Sequence, residues 1–144
     1  MVLVPSIYVD LFFTLLIAFA GDDLTAKDLQ GTWKGERYTE GGGGGQGGEV
    51  VEFTFKDNLL VGRKKSGVVI GEATFTLSEG GKNIDATGTS GGYRNKTYPG
   101  IIKVEGDKLT WCSAGGGGKD MKRPGSFTAN PGSAHYLIVL TRQK

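Results

Sequence analysis

Cys112 and His135 are the nucleophile and base candidates of this sequence, and each is the sole member of its residue type. A cysteine nucleophile needs a nearby cation to lower its thiol pKa and a base beside it. Trp111, Ser113 and Ala114 surround Cys112 in the chain and supply neither. Cys112 therefore reads as a buried structural thiol, with pairing between chains as the alternative for a lone cysteine in an oxidising compartment. His135 follows a long loop and reads as a strand-end residue or a ligand contact. Together the two offer at most two good zinc ligands, too few for a site. Glu36, Glu52, Glu72 and Asp85 fall inside candidate strands, and no two of them form a pair suited to acid–base work. The glycine runs 41–45, 47–48 and 115–118 lack the Lys-Ser/Thr context and the following helix of a phosphate-binding loop, so they read as flexible linkers. No catalytic residue, metal or cofactor is assigned, and the chain is not read as an enzyme.

The elements that must position these residues are strands. After residue 30 apolar side chains recur with period two between turn residues, which predicts eight strands at 30–39, 49–56, 59–65, 68–78, 82–89, 97–105, 108–114 and 135–142. Val51, Phe53 and Phe55 alternate with Glu52, Thr54 and Lys56, and Ala73, Phe75 and Leu77 alternate with Glu72, Thr74 and Thr76. The last strand is apolar on both faces, as expected for one wedged between neighbours. Thr25 to Asp28 fits a capping box and predicts about one helical turn before the first strand. Tight turns at 57–58, 79–81 and 106–107 alternate with the longer loops 40–48, 90–96 and 115–134 and the short turn 66–67. In an up-and-down meander successive loops fall at opposite ends, so one end is closed by tight turns and the other is open. The expected fold is all-β: an eight-stranded antiparallel up-and-down barrel whose interior holds side chains or one small ligand.

Residues 11–20 form an apolar run ending in Ala18, Phe19 and Ala20, and the chain turns polar immediately after. The run is shorter than the roughly 20 residues of a membrane span and ends in the pattern that signal peptidase cleaves. A signal peptide over 1–20 and a domain over 21–144 follow, with an extracytoplasmic location and no stable membrane span after cleavage. The absence of Lys or Arg from residues 1–10 departs from the usual basic start of such signals, and an apolar helix packed on the domain is the alternative. The 144 residues suit one domain, and the formal net charge of +2 does not point to nucleic acid. The 26 glycines show no three-residue period, which excludes collagen.

Gly31-Thr32-Trp33 at the start of the first strand resembles the G-x-W of lipocalin-type barrels, and Arg142 at the end of the last resembles their C-terminal arginine. The chain also resembles an uncharacterised lipocalin-like domain family abundant in planctomycete bacteria. The matching segments are 29–33 (LQGTW), 98–101 (YPGI), 105–109 (EGDKL) with Cys112, Arg123-Pro124, Phe127 and 131–133 (PGS). The resemblance covers about residues 28–142 and implies a barrel and export, but no chemistry. The glycine runs make the loops looser than is usual there.

The expected function is an exported, non-enzymatic domain that binds a small apolar or anionic amphiphilic ligand. Phe53, Phe55, Phe75, Leu77, Ile102 and Trp111 are expected in the lumen, and Trp33 under Arg142 is expected as a plug at the closed end. The open end is expected to be basic, with Arg63, Lys64, Lys65, Arg94, Lys96, Lys119, Lys122 and Arg123 against Glu40, Glu49 and Asp120. A ligand's polar end is expected near Tyr93, Arg94, Tyr98, Arg123 and His135. The alternative is an envelope interaction or scaffold module with a filled barrel. An interior space of roughly 300 Å³ or more favours a ligand, and a solid interior favours the scaffold.

Overall fold

The computed structural model describes residues 23–38, 49–115, 122–129 and 134–144. Eight strands follow a single turn of helix, α1 (Ala26–Leu29). They are β1 (Gly31–Tyr38), β2 (Glu49–Lys56), β3 (Leu59–Lys64), β4 (Val69–Ser78), β5 (Asn83–Gly88), β6 (Thr97–Glu105), β7 (Lys108–Ala114) and β8 (His135–Arg142). Each pairs antiparallel with its successor, and β8 closes on β1. The fold is a closed up-and-down barrel of lipocalin-like type, and each strand lies within one residue of its expected bounds. The proposed signal peptide at 1–20 and the glycine runs 41–45, 47–48 and 116–118 lie outside the described residues. No helix among the described residues is long and apolar enough to cross a membrane.

The period-two pattern puts the inward positions of neighbouring strands side by side. Trp33 pairs with Phe53, Phe53 with Gly62, Ile102 with Trp111, and Trp111 with Ile138. The lumen towards the tight turns is filled. Phe55 and Phe75 meet edge to face at 5.4 Å, and Ile84, Ile102, Leu109, Leu140 and Trp33 are buried around them. Leu77 is partly buried against the same cluster.

The chain itself closes that end. Asp28 Oδ2 accepts from the Thr25 backbone N–H (2.9 Å), the carboxylate half of the capping box. The single turn drops Leu29 into the core, where it is fully buried. Trp33 Nε1 donates to the Leu29 carbonyl at 2.8 Å. Arg142 stacks on the Trp33 ring at 4.1 Å and donates to the carbonyls of Gln30 and Asp28. The same segment is tied to two of the tight turns: Gln30 exchanges hydrogen bonds with the Asp57 backbone, and Leu24 N–H donates to Gly80 O. Arg142 reaches the third through Asp107 (3.7 Å).

One expectation about the strands is corrected. The strand buried on both faces is β7, in which Leu109 to Ala114 are all buried, whereas Leu137 and Val139 of β8 are only partly so. The reason is the segment 122–129, which runs along the outer wall. Cys112 Sγ donates to Thr128 O (3.3 Å), and Lys103 on the outer face of β6 lies over the Phe127 ring. Hydropathy alone marks apolar strands, but a covering segment decides which outer face is dry.

Candidate functional site

Above the packed half of the lumen, Phe53 on β2 and Trp111 on β7 meet edge to face at 5.6 Å. These strands are not neighbours, so the contact spans the lumen and forms a floor. Such a pair contributes roughly 0.5–1.5 kcal/mol beyond its buried area. Over this floor lies a cavity of about 120 Å³ at the end of the barrel opposite α1. Its walls are mostly apolar and include Leu60, Ile70, Ala86 and Ile138.

Glycines on three adjacent strands make room for Phe53 and Tyr93. A Cβ at Gly62 would lie 2.7 Å from the Phe53 ring, and one at Gly71 would lie 2.9 Å from the Tyr93 ring. Tyr93 ends a short 3-10 turn (Gly91–Tyr93), and its backbone crosses so close to Gly88 that a Cβ there would meet Tyr93 O at 1.9 Å. Tyr93 and Tyr98 meet edge to face at 5.9 Å, and Tyr136 lines the cavity with them. The three form a tyrosine collar at the mouth. Burial, then the neighbouring Tyr93 and Tyr136, push the Tyr98 phenol above its ordinary pKa.

Arg37 completes the site. It shares the inward face of β1 with Trp33 and Gly35 and lines the cavity. Its guanidinium lies 5.3 Å from the Tyr136 ring centroid, and its Nη2 pairs with Glu49 (2.5 Å). Glu49 also lies 4.0 Å from Lys64, so one carboxylate faces two cations. Among the described residues, Arg37 Nε and Trp111 Nε1 are buried without a hydrogen-bond partner.

The sequence-based site residues divide. Phe53 and Trp111 line the cavity, whereas Phe55, Phe75, Leu77 and Ile102 belong to the filled half. Tyr93 and Tyr98 line the mouth. Arg94 is exposed in the 90–96 loop and does not line the cavity. His135 pairs with Ala114 in the register, next to the inward Tyr136 and on the opposite face of β8. Arg123, expected at the mouth, lies on the outer wall. It donates to Gly100 O (2.9 Å) and pairs with Asp85 (2.9 Å), which draws it across the β5–β6 seam. The basic rim is thinner by that charge, and Glu40, Lys119 and Asp120 lie outside the described residues. Sequence reasoning did not single out Arg37, although Trp33, Gly35 and Arg37 share one parity, which was signal enough to place it in the lumen.

Cys112 is fully buried on the outer face of β7. Burial raises its thiol pKa, and the hydrogen bond to the Thr128 carbonyl opposes that rise only in part. Among the described residues no group of three or more His, Cys, Asp or Glu could hold a metal ion.

The fold and cavity define a lipocalin-like barrel that is closed at one end and, among the described residues, open at the other. Comparison of the chain with protein-family models, curated proteins and solved structures finds no match.

Proposed function

We propose that this chain is an exported, non-catalytic member of the lipocalin-like barrels that holds one compact ligand in the open half of its lumen. The observation that carries the reading is the apolar cavity of about 120 Å³ between the Phe53–Trp111 floor and the tyrosine collar. An apolar cavity of about 150 Å³ takes up benzene, whereas ordinary small-molecule pockets begin at roughly 300 Å³. The volume lies between the two marks set for a ligand and for a solid interior. It narrows the expected ligand from an extended amphiphile to one about the size of a single ring. The resemblance to the planctomycete family and the apolar run at 11–20 support export. The packed lower half favours the scaffold reading, in which the barrel serves only to present its outer surface.

Titration of the full chain with benzene, followed by NMR, separates the two. Ligand binding moves the resonances of Phe53, Ala86 and Trp111 and leaves Phe55 and Phe75 nearly still. A barrel that takes up no compact apolar probe is a scaffold. Native mass spectrometry of protein purified from its source then reads the natural ligand as added mass.

A further inference from the structure

Resting on the lumen reading, we infer that the open half of the barrel selects a compact aromatic monocarboxylate, taken up head first, with Arg37 and Trp111 receiving the carboxylate. The two residues flank the same position. Ile138 on β8 pairs with Arg37 on β1 and with Trp111 on β7, so the three form one row across adjacent strands. Both outer members line the cavity, and each presents a buried N–H without a partner among the described residues. Trp111 is only 4% exposed, so solvent does not satisfy its indole. An unmet buried donor carries a desolvation cost that an incoming acceptor recovers.

The local sequence keeps the indole N–H uncovered. Position 100 is glycine, and a Cβ there would sit 2.8 Å from Trp111 Nε1. The acceptor is an anion because of the charges beside it. Arg37 and Lys64 share Glu49, which leaves that trio with one surplus positive charge, and the other acidic residue of the cavity lining, Glu72, is exposed on β4. A carboxylate offers two acceptor oxygens in one plane, one for each of the two N–H donors. The remainder of the ligand is aromatic because Tyr93, Tyr98 and Tyr136 surround the space above the row. The cavity volume limits it to about one ring. The charged head thus lies deep and the ring lies at the mouth, the reverse of a polar end held at the rim.

The experiment compares benzoate, benzamide and benzene on the full chain at low ionic strength. Benzoate is expected to bind at least about tenfold more tightly than benzene, as a hydrogen bond to a charged group implies. Benzamide, with one acceptor oxygen and no charge, falls between them. Trp111→Phe keeps an aromatic ring and removes the donor, and Arg37→Gln removes the charge; each is expected to erase about tenfold of the preference for benzoate over benzene, read as the ratio of the two affinities within that variant. Benzoate binding no better than benzene overturns the inference, as does a preference that survives both variants. Benzamide equal to benzoate overturns the anionic assignment. Failure of all three probes, benzene included, overturns the lumen reading itself together with this inference. The comparison of probes on the unmutated protein decides the matter even if a variant fails to fold.

Discussion

Arg142 and Trp33 are cross-strand partners, and both bond to the same short N-terminal segment. The guanidinium covers the indole at 4.1 Å and donates to Gln30 O and Asp28 O, while the indole N–H donates to Leu29 O. One pair of side chains thus holds the cap on the barrel. Arg142→Ala is expected to lower unfolding stability by about 2–3 kcal/mol, from the lost cation–π contact and charged hydrogen bonds of a partly exposed group. Trp33→Phe keeps the ring and strands the buried carbonyl, at a cost of about 1–2 kcal/mol. Urea denaturation measures both, and a loss under 0.5 kcal/mol for Arg142→Ala, on the order of an ordinary surface substitution, would contradict the capping role.

Arg123→Ala tests the path of the outer segment. The ion pair with Asp85 is about one-third exposed on each side, so its share is small, and the bond to Gly100 O adds to it. A loss of about 1 kcal/mol is expected, with faster labelling of Cys112 by a thiol reagent and no change in benzene binding. Reduced benzene affinity in this variant would return Arg123 to the mouth.

Alkaline pH is expected to destabilise the protein. Cys112, Tyr98 and Tyr38 each have a folded-state pKa above the ordinary value: burial leads for the first two, and a hydrogen bond to Glu36 leads for Tyr38. A raised pKa means that the folded chain holds these protons longer than the unfolded one. Their contribution is whole below the unfolded pKa values, about 8.5 for Cys and about 10 for Tyr, and declines as pH rises beyond them. Denaturation midpoints measured from pH 7 to 11 should fall, with the first loss absent in Cys112→Ala. A flat profile would contradict the raised pKa values of these groups.

Gly88→Ala is expected to undock the 90–96 loop. The added methyl meets the Tyr93 carbonyl at 1.9 Å, and backbone on both sides leaves little freedom to yield. The cost is on the order of 1–3 kcal/mol, typical of overpacking. Tyr93 should become protease-accessible and its edge contact with Tyr98 should be lost from NMR spectra. Unaltered Tyr93 signals would show that the loop does not depend on this approach.

The strands were legible because each carries its own period-two pattern and its own turn. Asp57 at φ +55° and Gly106 at φ +62° adopt the left-handed backbone that Asp and Gly tolerate, so the tight turns announced themselves locally. The plug was legible too, since Trp33 and Arg142 sit at the ends of the first and last strands. The course of residues 122–129 was not. It is set by Arg123 meeting Asp85 and Cys112 meeting Thr128, contacts that no local pattern encodes. Arg37 was hidden for another reason: charge suggests solvent, while strand parity alone says lumen, and here parity prevails because Glu49 and Tyr136 receive the guanidinium.

The cap also fixes how the molecule can be held. Asp23 and Leu24 lie against the turn at Gly80, and Lys144 lies 3.9 Å from Asp107, so both ends of the described chain leave from the plugged face. Attachment to a sensor chip, a bead or a fused carrier protein at Asp23 or at Lys144 leaves the tyrosine collar pointing away from the support. Binding constants should therefore agree between chains immobilised by one end and by the other, and two barrels joined in tandem should present two independent openings.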